Sequence, residues 1–538
     1  QPPLDKLAEQ ALRDLEWGAR WVIVEGRESG TCVGVYDDEG NVDSAALDTF
    51  SRIMGDKVDR LIWEAPLKHQ QAALIERFAG IVGPSYAIRD PAAQAGYLKE
   101  WREVYVGRTP LVLRPGSVAE VARILALAHE TATAIVPQGG NTGLVGAQIP
   151  HETGTEVLVS LSRLDKIRTV DPDGNTMIAE AGVTLGRAQD AADAAGRLFP
   201  LSLASEGTCQ IGGNLSTNAG GVQVLAYGNA RDLVLGLEVV LADGQVWNGL
   251  RSLRKDNTGY DLKHLFIGGE GTLGIITAAV LKLFPKPSEE VTAIAALPDL
   301  AAVRALFERA RRVAGPGLTA FELIPRRGIE FVTRHFAKLR DPIAAPHAWY
   351  ALIDIAGFGR PGEAMATMER LLEGAIADGH VADAAIAQSH QQVRDLWAIR
   401  ENLPDTQKFE GGSIKHDVSV PIAQLPELIA RGDALIEAVC PGARPLPFGH
   451  FGDGNLHYNV SQPLGMDRAQ FLKEGRRITE AIYGLVLELG GSISAEHGIG
   501  RVKRDELVAV KSPVEIAMMR AIKAALDPKG ILNPGKML

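Results

Sequence analysis

The chain has 538 residues, 46% apolar and 23% charged, values that exclude a fibrous or disordered polypeptide and leave room for three or four globular units. Lys and Arg number 56 against 66 Asp and Glu, a net charge of -10 without any long basic run, which excludes a nucleic-acid groove. Cys32, Cys209 and Cys440 are scattered and form no CxxC pair, so a disulfide framework and a thiolate zinc site are both excluded, and a reducing, cytoplasmic compartment is expected.

In chain order, an Ala/Leu/Glu-rich helix from Leu4 is followed by the apolar run Trp21 to Val24, a turn at Asp37 to Gly40, a helix from Ser44 and the run Leu61 to Trp63. This alternation predicts βα units feeding a parallel sheet. The strand ends carry Glu25-Gly26-Arg27-Glu28-Ser29-Gly30 and Glu64-Ala65-Pro66, and residues 1–75 resemble a fragment of phosphosulfolactate synthase, a TIM-barrel enzyme. A closed barrel needs about 250 residues, so the fragment is expected to be catalytically inert. No apolar run reaches the roughly 18 residues of a membrane span, and the first dozen residues have no signal-peptide core.

After the linker Ala79 to Pro84, the strand Pro110 to Pro115 leads into a helix over Ser117 to His129, with Ser117 as N-cap and Glu120 completing a capping box. The strand Ala134 to Pro137 then runs into Gln138-Gly139-Gly140-Asn141-Thr142-Gly143-Leu144-Val145-Gly146. Further glycine-rich turns follow at Ser205 to Thr208, Ile211 to Asn214, Thr217 to Gly221 and Gly268 to Gly274, among strands such as Gly236 to Leu241 and Ile275 to Leu283. Pro285-Lys286-Pro287 marks a domain edge. Helices at Leu300 to Ala314 and Gly362 to Asp378 alternate with strands such as Trp349 to Ile355, as in an α+β domain. A last amphipathic helix from Pro513 ends before Ile531-Leu532-Asn533-Pro534-Gly535.

A pyrophosphate requires several backbone N–H groups aimed one way, and small residues in a turn build such a nest. Gln138 to Gly146 has that composition, although its spacing is neither GxGxxG nor a Walker loop. Pro137-Gln138-Gly139-Gly140-Asn141-Thr142-Gly143, Ser205-Glu206-Gly207-Thr208, Gly212 with Asn214, Thr217-Asn218-Ala219-Gly220-Gly221, Tyr227-Gly228 and Glu270-Gly271-Thr272-Leu273-Gly274-Ile275-Ile276 together resemble the FAD-binding domain of the vanillyl-alcohol oxidase superfamily. The resemblance implies that these loops wrap FAD and that Asn533 caps the flavin from the tail. No His lies between Gln138 and Gly146, so a non-covalent flavin is expected. The implied fold is α+β: an FAD-binding domain of two subdomains at 76–288, a substrate domain at 289–500, and a tail at 501–538 returning to the FAD domain.

In His450-Phe451-Gly452-Asp453-Gly454-Asn455-Leu456-His457-Tyr458-Asn459, a four-residue loop over Gly452 to Asn455 would set Phe451 against Leu456 and His450 directly opposite His457. Two imidazoles so placed can hold one metal, with Asn459 on the same face. Ser494-Ala495-Glu496-His497-Gly498-Ile499-Gly500 offers a carboxylate and another imidazole. The absence of HExxH argues against a zinc peptidase. The combination resembles the D-2-hydroxyglutarate and D-lactate dehydrogenase branch of the superfamily, which implies a divalent metal, usually zinc, on His450, His457 and Glu496, with His497 as the base. Such a site suits oxidation of an alcohol: positive charge beside the hydroxyl lowers its pKa, and a histidine accepts its proton near neutral pH.

Arg400 and Lys415 match the positions that bind substrate carboxylates in that branch, with Asn459 beside them; Arg suits a bidentate grip and Lys a point contact. Four residues after Arg400, where some relatives carry a hydroxyl, this chain has Pro404. The expected reaction is oxidation of a D-2-hydroxy acid to the 2-oxo acid, with D-2-hydroxyglutarate favoured over D-lactate because two cations exceed what one carboxylate needs. The expected electron acceptor is an electron-transfer flavoprotein or a quinone, and the expected assembly a homodimer. Carbon–sulfur lyase chemistry in residues 1–75 and a non-enzymatic flavin carrier are the alternatives.

Overall fold

The computed structural model describes residues 4–17, 19, 21–24, 49, 52–55, 57, 61–63 and 68–538. The turn at Asp37 to Gly40, the start of the helix at Ser44, Cys32 and the loops Glu25 to Gly30 and Glu64 to Pro66 lie outside the described residues. Near the N-terminus, Val22–Val24 and Leu61–Trp63 pair in parallel, and the helix Leu4–Glu16 buries Ala8 and Ala11 with Met54.

Two sheets form the next unit. The first runs in the order Ala87–Ile88, Val112–Leu113, Val157–Ser160, Ile135–Gln138, the last three strands parallel. It is covered by the helix Val118–Thr131, whose Val121, Ile124, Leu125 and Ala128 recur at helical spacing and are fully buried. Ser117 caps this helix through its hydroxyl, which accepts from Glu120 N; the Glu120 carboxylate, however, takes the N–H of Gly116, so the reciprocal half of the expected capping box is displaced by one residue. The second sheet is antiparallel, in the order Val246–Gly249, Val234–Val240, Ile275–Lys282, Thr176–Glu180, Ile167–Asp171.

The third unit is an eight-stranded antiparallel sheet whose central strands are Glu289–Leu297, Trp349–Gly357, Leu318–Pro325, Arg444–His450 and Asn455–Ser461. Its strands are apolar on both faces because helices cover both. Ala293, Ala295, Phe321 and Ile353 pack under the helices Leu300–Ala314 and Glu363–Ala377, whereas Ile294, Ile324, Leu352 and Phe448 pack under Arg326–His335 and His390–Glu401. After the helix Pro513–Leu526 the chain returns to the first sheet: Ile135 N donates to Ile531 O and Asn533 N to Ile135 O, both at 2.8 Å, and Ile531 and Leu532 join its core.

Candidate active site

The strand Ile135–Gln138 delivers the chain into the turn Gly139 to Gly143 at the mouth of a cleft of about 740 Å³. Its walls include Pro137, Gln138, Gly139, Gly140, Asn141, Thr142, Gly143, Gly212, Asn214, Thr217, Glu270, Gly271, Gly274, Ile275, Ile276 and Asn533. Asn141 is left-handed, at φ 57°, and its amide donates to Gly96 O and Lys99 O, which pins the turn open. A Cβ on Gly140 would lie 2.0 Å from Thr208 O, so the loop Ser205 to Thr208 closes directly over the turn. Two buried acceptors on the wall, Gln210 Oε1 and Asn533 Oδ1, have no partner among the described residues. A ligand with N–H edges and a phosphate-bearing tail fits such a wall, as FAD does.

Other residues expected to bind cofactor stand away from the cleft walls. Glu206 accepts from Ser202 Oγ and Leu203 N beside Gly207, Asn218 accepts from Arg231 N, Tyr227 packs edge-on against Phe284 at 4.8 Å, and Gly228 lies on Asp232. Gly221 faces Ser202 O. Gly220 points elsewhere: a Cβ there would lie 3.3 Å from Glu496 Oε2, so the stretch Thr217 to Gly221 runs from the cleft to the histidine cluster.

The hairpin differs from its expected register. Phe448, not His450, is opposite His457, where the pairing of the two strands ends, and Phe451 packs with Phe307 and Phe321 instead of facing Leu456. His450 and His457 therefore stand two residues apart along one face, with ring centroids 5.6 Å apart. His450 Nδ1 lies 2.7 Å from Glu322 Oε1 and donates to it, which turns Nε2 toward Glu496 Oε1 at 3.7 Å. His457 Nε2 is 3.4 Å from the same oxygen.

Burial raises the Glu496 pKa, but hydrogen bonding and charge from His450, and the charge of His457, hold it at about 2. Burial pushes His457 down to about 3, leaving a neutral imidazole, the form that binds metals. His450 is raised well above its ordinary value because Glu322 and Glu496 outweigh its burial. Two imidazole nitrogens and one carboxylate converging around a common point form a donor set suited to a divalent ion, with Glu322 as the outer carboxylate that orients one imidazole.

Asp417, His457, Glu496 and His497 also bring ligand atoms within 4.8 Å of one another. Asp417 is the least available of the four. Its Oδ1 accepts from Asn455 Nδ2, and its Oδ2 accepts from the N–H groups of Glu496 and His497 at 3.0 and 2.8 Å. Asp417 therefore holds the loop through these two N–H groups, and His497 Nδ1 lies 3.4 Å from the same Oδ2. The His497 ring stacks 5.9 Å from that of His457.

Arg400 is buried, with Nε 2.5 Å from Glu322 Oε2 and its guanidinium 5.0 Å from the Phe448 ring. Lys415 donates to Pro404 O at 3.1 Å. Asn459 is committed to protein partners, accepting from His416 N and donating to Gln407 Oε1. Glu322, Asp417 and Gln210 had no signal in the sequence that assigned them a role. Glu322 lies 128 residues before the histidine it orients, and only the sheet pairing Glu322↔His450 joins them.

Residues 109–249 match the family model described as FAD binding domain, 286–537 that of the FAD linked oxidases, C-terminal domain, and 1–83 that of (2R)-phospho-3-sulfolactate synthase. The chain is 39% identical over 458 residues to a protein of Bos taurus named D-2-hydroxyglutarate dehydrogenase, mitochondrial, covering 85% of this chain and 82% of the relative. It is 38% identical over 450 residues to D-2-hydroxyglutarate dehydrogenase of Xanthomonas citri, covering 83% and 93%. Among solved structures, p-cresol methylhydroxylase superposes with a TM-score of 0.69 at 16% identity, covering 88% of this chain and 97% of that one. The 4-ethylphenol oxidase of Gulosibacter chungangensis gives 0.65 at 18% identity, with coverage of 88% and 97%.

Proposed function

The chain belongs to the FAD-linked oxidase family, and on that premise we propose that it oxidises D-2-hydroxyglutarate to the 2-oxo acid, with a divalent metal, zinc by its donor set, on His450, His457 and Glu496. The observation that carries this reading is the junction at Gly220, where a loop leading from the FAD cleft meets the carboxylate shared by two imidazoles. Bound non-covalently in the cleft, FAD supplies the hydride acceptor; a divalent ion supplies positive charge that acidifies the substrate hydroxyl.

His497 Nε2 takes the hydroxyl proton, with Asp417 Oδ2 3.4 Å from Nδ1 on the opposite edge of the ring. Glu322 orients His450 through a hydrogen bond to Nδ1. Arg400 grips the substrate's first carboxylate with the edge of its guanidinium not used by Glu322, Lys415 supplies a second positive charge, and Asn459 backs them from the same strand as His457, its amide held by Gln407. Electrons leave to an electron-transfer flavoprotein or a quinone, and the assembly is a homodimer. No helix among the described residues is long and apolar enough to cross a membrane. A cytoplasmic location draws no support from the relatives, since those of Bos taurus and Arabidopsis thaliana are named as mitochondrial.

D-lactate oxidation is the second reading, favoured by Pro404, which leaves one hydrogen-bond donor fewer for a distal carboxylate. Dye-linked steady-state oxidation of the two acids separates them: a higher kcat/KM for D-2-hydroxyglutarate is expected, and equal or better turnover of D-lactate rejects the dicarboxylate preference. Exhaustive chelation should abolish turnover and a divalent metal restore it; full activity after chelation removes the metal from the account.

A further inference from the structure

A turn of the FAD-binding unit that carries a cation, Arg102, rests on the substrate unit. The turn between Lys99 and Val106, which leaves the helix Pro91–Leu98, is tied at its base to the cofactor loop through Asn141 and Gln138, whose amides donate to Gly96 O, Lys99 O and Tyr97 O. Its shape is set by the buried carboxylate of Glu100, which accepts from the N–H groups of Arg102 and Val104, each at 2.6 Å. One flank rests on the substrate unit, with Lys408 Nζ 3.9 Å from the Trp101 ring; the other carries Tyr105, beneath Arg501 at 4.6 Å. The turn therefore bridges the two units, and Arg102 lies between its two contacts.

Trp101 packs on Lys408 and Lys415 donates to Pro404 O, both on the helix Leu403–Phe409, so Arg102 and Lys415 approach the same short helix, and the charges that act on Arg102 are Glu100, Asp417, Lys415 and Lys503. Glu100 is occupied by backbone N–H groups, and Asp417 by Asn455 and the Glu496–His497 amides. Neither Arg102 nor Lys415 has a carboxylate at ion-pair distance among the described residues; Asp405, near Lys415, is paired with Lys408. Arg102 is exposed, with neighbours close enough to desolvate it in part. Burial, and then the charge of Arg102, bring Lys415 down to about 8. Two neighbouring cations without carboxylate partners repel each other, and an anion between them relieves the repulsion.

We propose that Arg102, together with Lys415, binds the distal carboxylate of the substrate and so selects a dicarboxylic 2-hydroxy acid over a monocarboxylic one. The proposal rests on the reading of the site as a 2-hydroxy acid dehydrogenase. Arg400, already committed to Glu322, is left for the carboxylate beside the reacting carbon.

The test compares D-2-hydroxyglutarate with D-2-hydroxypentanoate, an acid of the same length with a methyl group in place of the distal carboxylate, on the FAD-loaded, full-length wild type and on Arg102→Met and Arg102→Lys. Loss of a charged hydrogen bond predicts that Arg102→Met raises KM for D-2-hydroxyglutarate by roughly 10- to 100-fold with kcat within about twofold. Its kcat/KM for D-2-hydroxypentanoate should stay within about twofold of wild type, and Arg102→Lys should recover most of the lost affinity. Equal losses on both acids would make Arg102 a structural support of the turn, and no loss on either would make it a bystander; each overturns the assignment while leaving the dehydrogenase reading intact. A wild-type protein that oxidises neither acid removes that reading, and the proposal with it.

Discussion

At the scale of single residues, the account turns on which groups hold protons. His497, with Nδ1 3.4 Å from Asp417 Oδ2, is the proposed base, so replacing it by Ala should lower kcat by about 10²- to 10⁴-fold while leaving the visible spectrum of bound flavin intact. Stopped-flow and steady-state rates check this, and unchanged turnover rejects His497 as the base. A second residue governs stability. Desolvation, with the charges of Glu290 and Glu322 adding to it, raises the half-buried Asp354 from 3.8 to about 7 against hydrogen bonds from Thr292 and Trp397. Between those values the unfolded chain has lost the proton and the folded chain keeps it, so stability falls as pH climbs from about 4 to about 7. Asp354→Asn should flatten that decline, giving a higher Tm than wild type at pH 8 and a smaller gain at pH 5; parallel Tm profiles would contradict it. The residues legible in the sequence, His450, His457, Glu496 and His497, share two short motifs whose residue types announce their chemistry. Glu322, Asp417 and Arg102 act through space from other elements, and no local pattern distinguishes such a carboxylate or guanidinium from a surface charge.

At the scale of elements, glycine turns and hydrophobic periodicity were readable, whereas register was not. The helix expected at Leu300 to Ala314 is observed with those ends, since its Asp299 cap and apolar spacing are both local. In the hairpin, by contrast, Phe451 packs with Phe307 and Phe321, residues more than a hundred positions away. The cofactor turn is tight enough to test by one methyl group. Gly140→Ala puts a carbon 2.0 Å from Thr208 O, so the loop that closes over the turn must shift. The purified variant should retain much less flavin than wild type, by absorbance ratio, and stoichiometric flavin would show that this turn does not hold the cofactor.

At the scale of the whole molecule, the cofactor cleft and the histidine cluster are joined by a few buried bonds. Glu270, on the cleft wall, accepts from Ile499 N and Gly500 N at 2.6 and 2.7 Å, and Asn533 of the returning tail donates to Glu270 O at 2.8 Å. Removing the carboxylate leaves two N–H groups of the Glu496-His497 loop without partners, at about 1–3 kcal/mol each. Glu270→Ala should therefore lower flavin retention and turnover together, and a variant losing only one would separate the two sites. The central claim is that these joined sites pass a hydride from a D-2-hydroxy acid to FAD. Mixing the FAD-loaded protein with D-2-hydroxyglutarate in the absence of oxygen tests it most directly. Rapid bleaching of the yellow flavin with appearance of one equivalent of 2-oxo acid is predicted; a flavin that stays oxidised would contradict it.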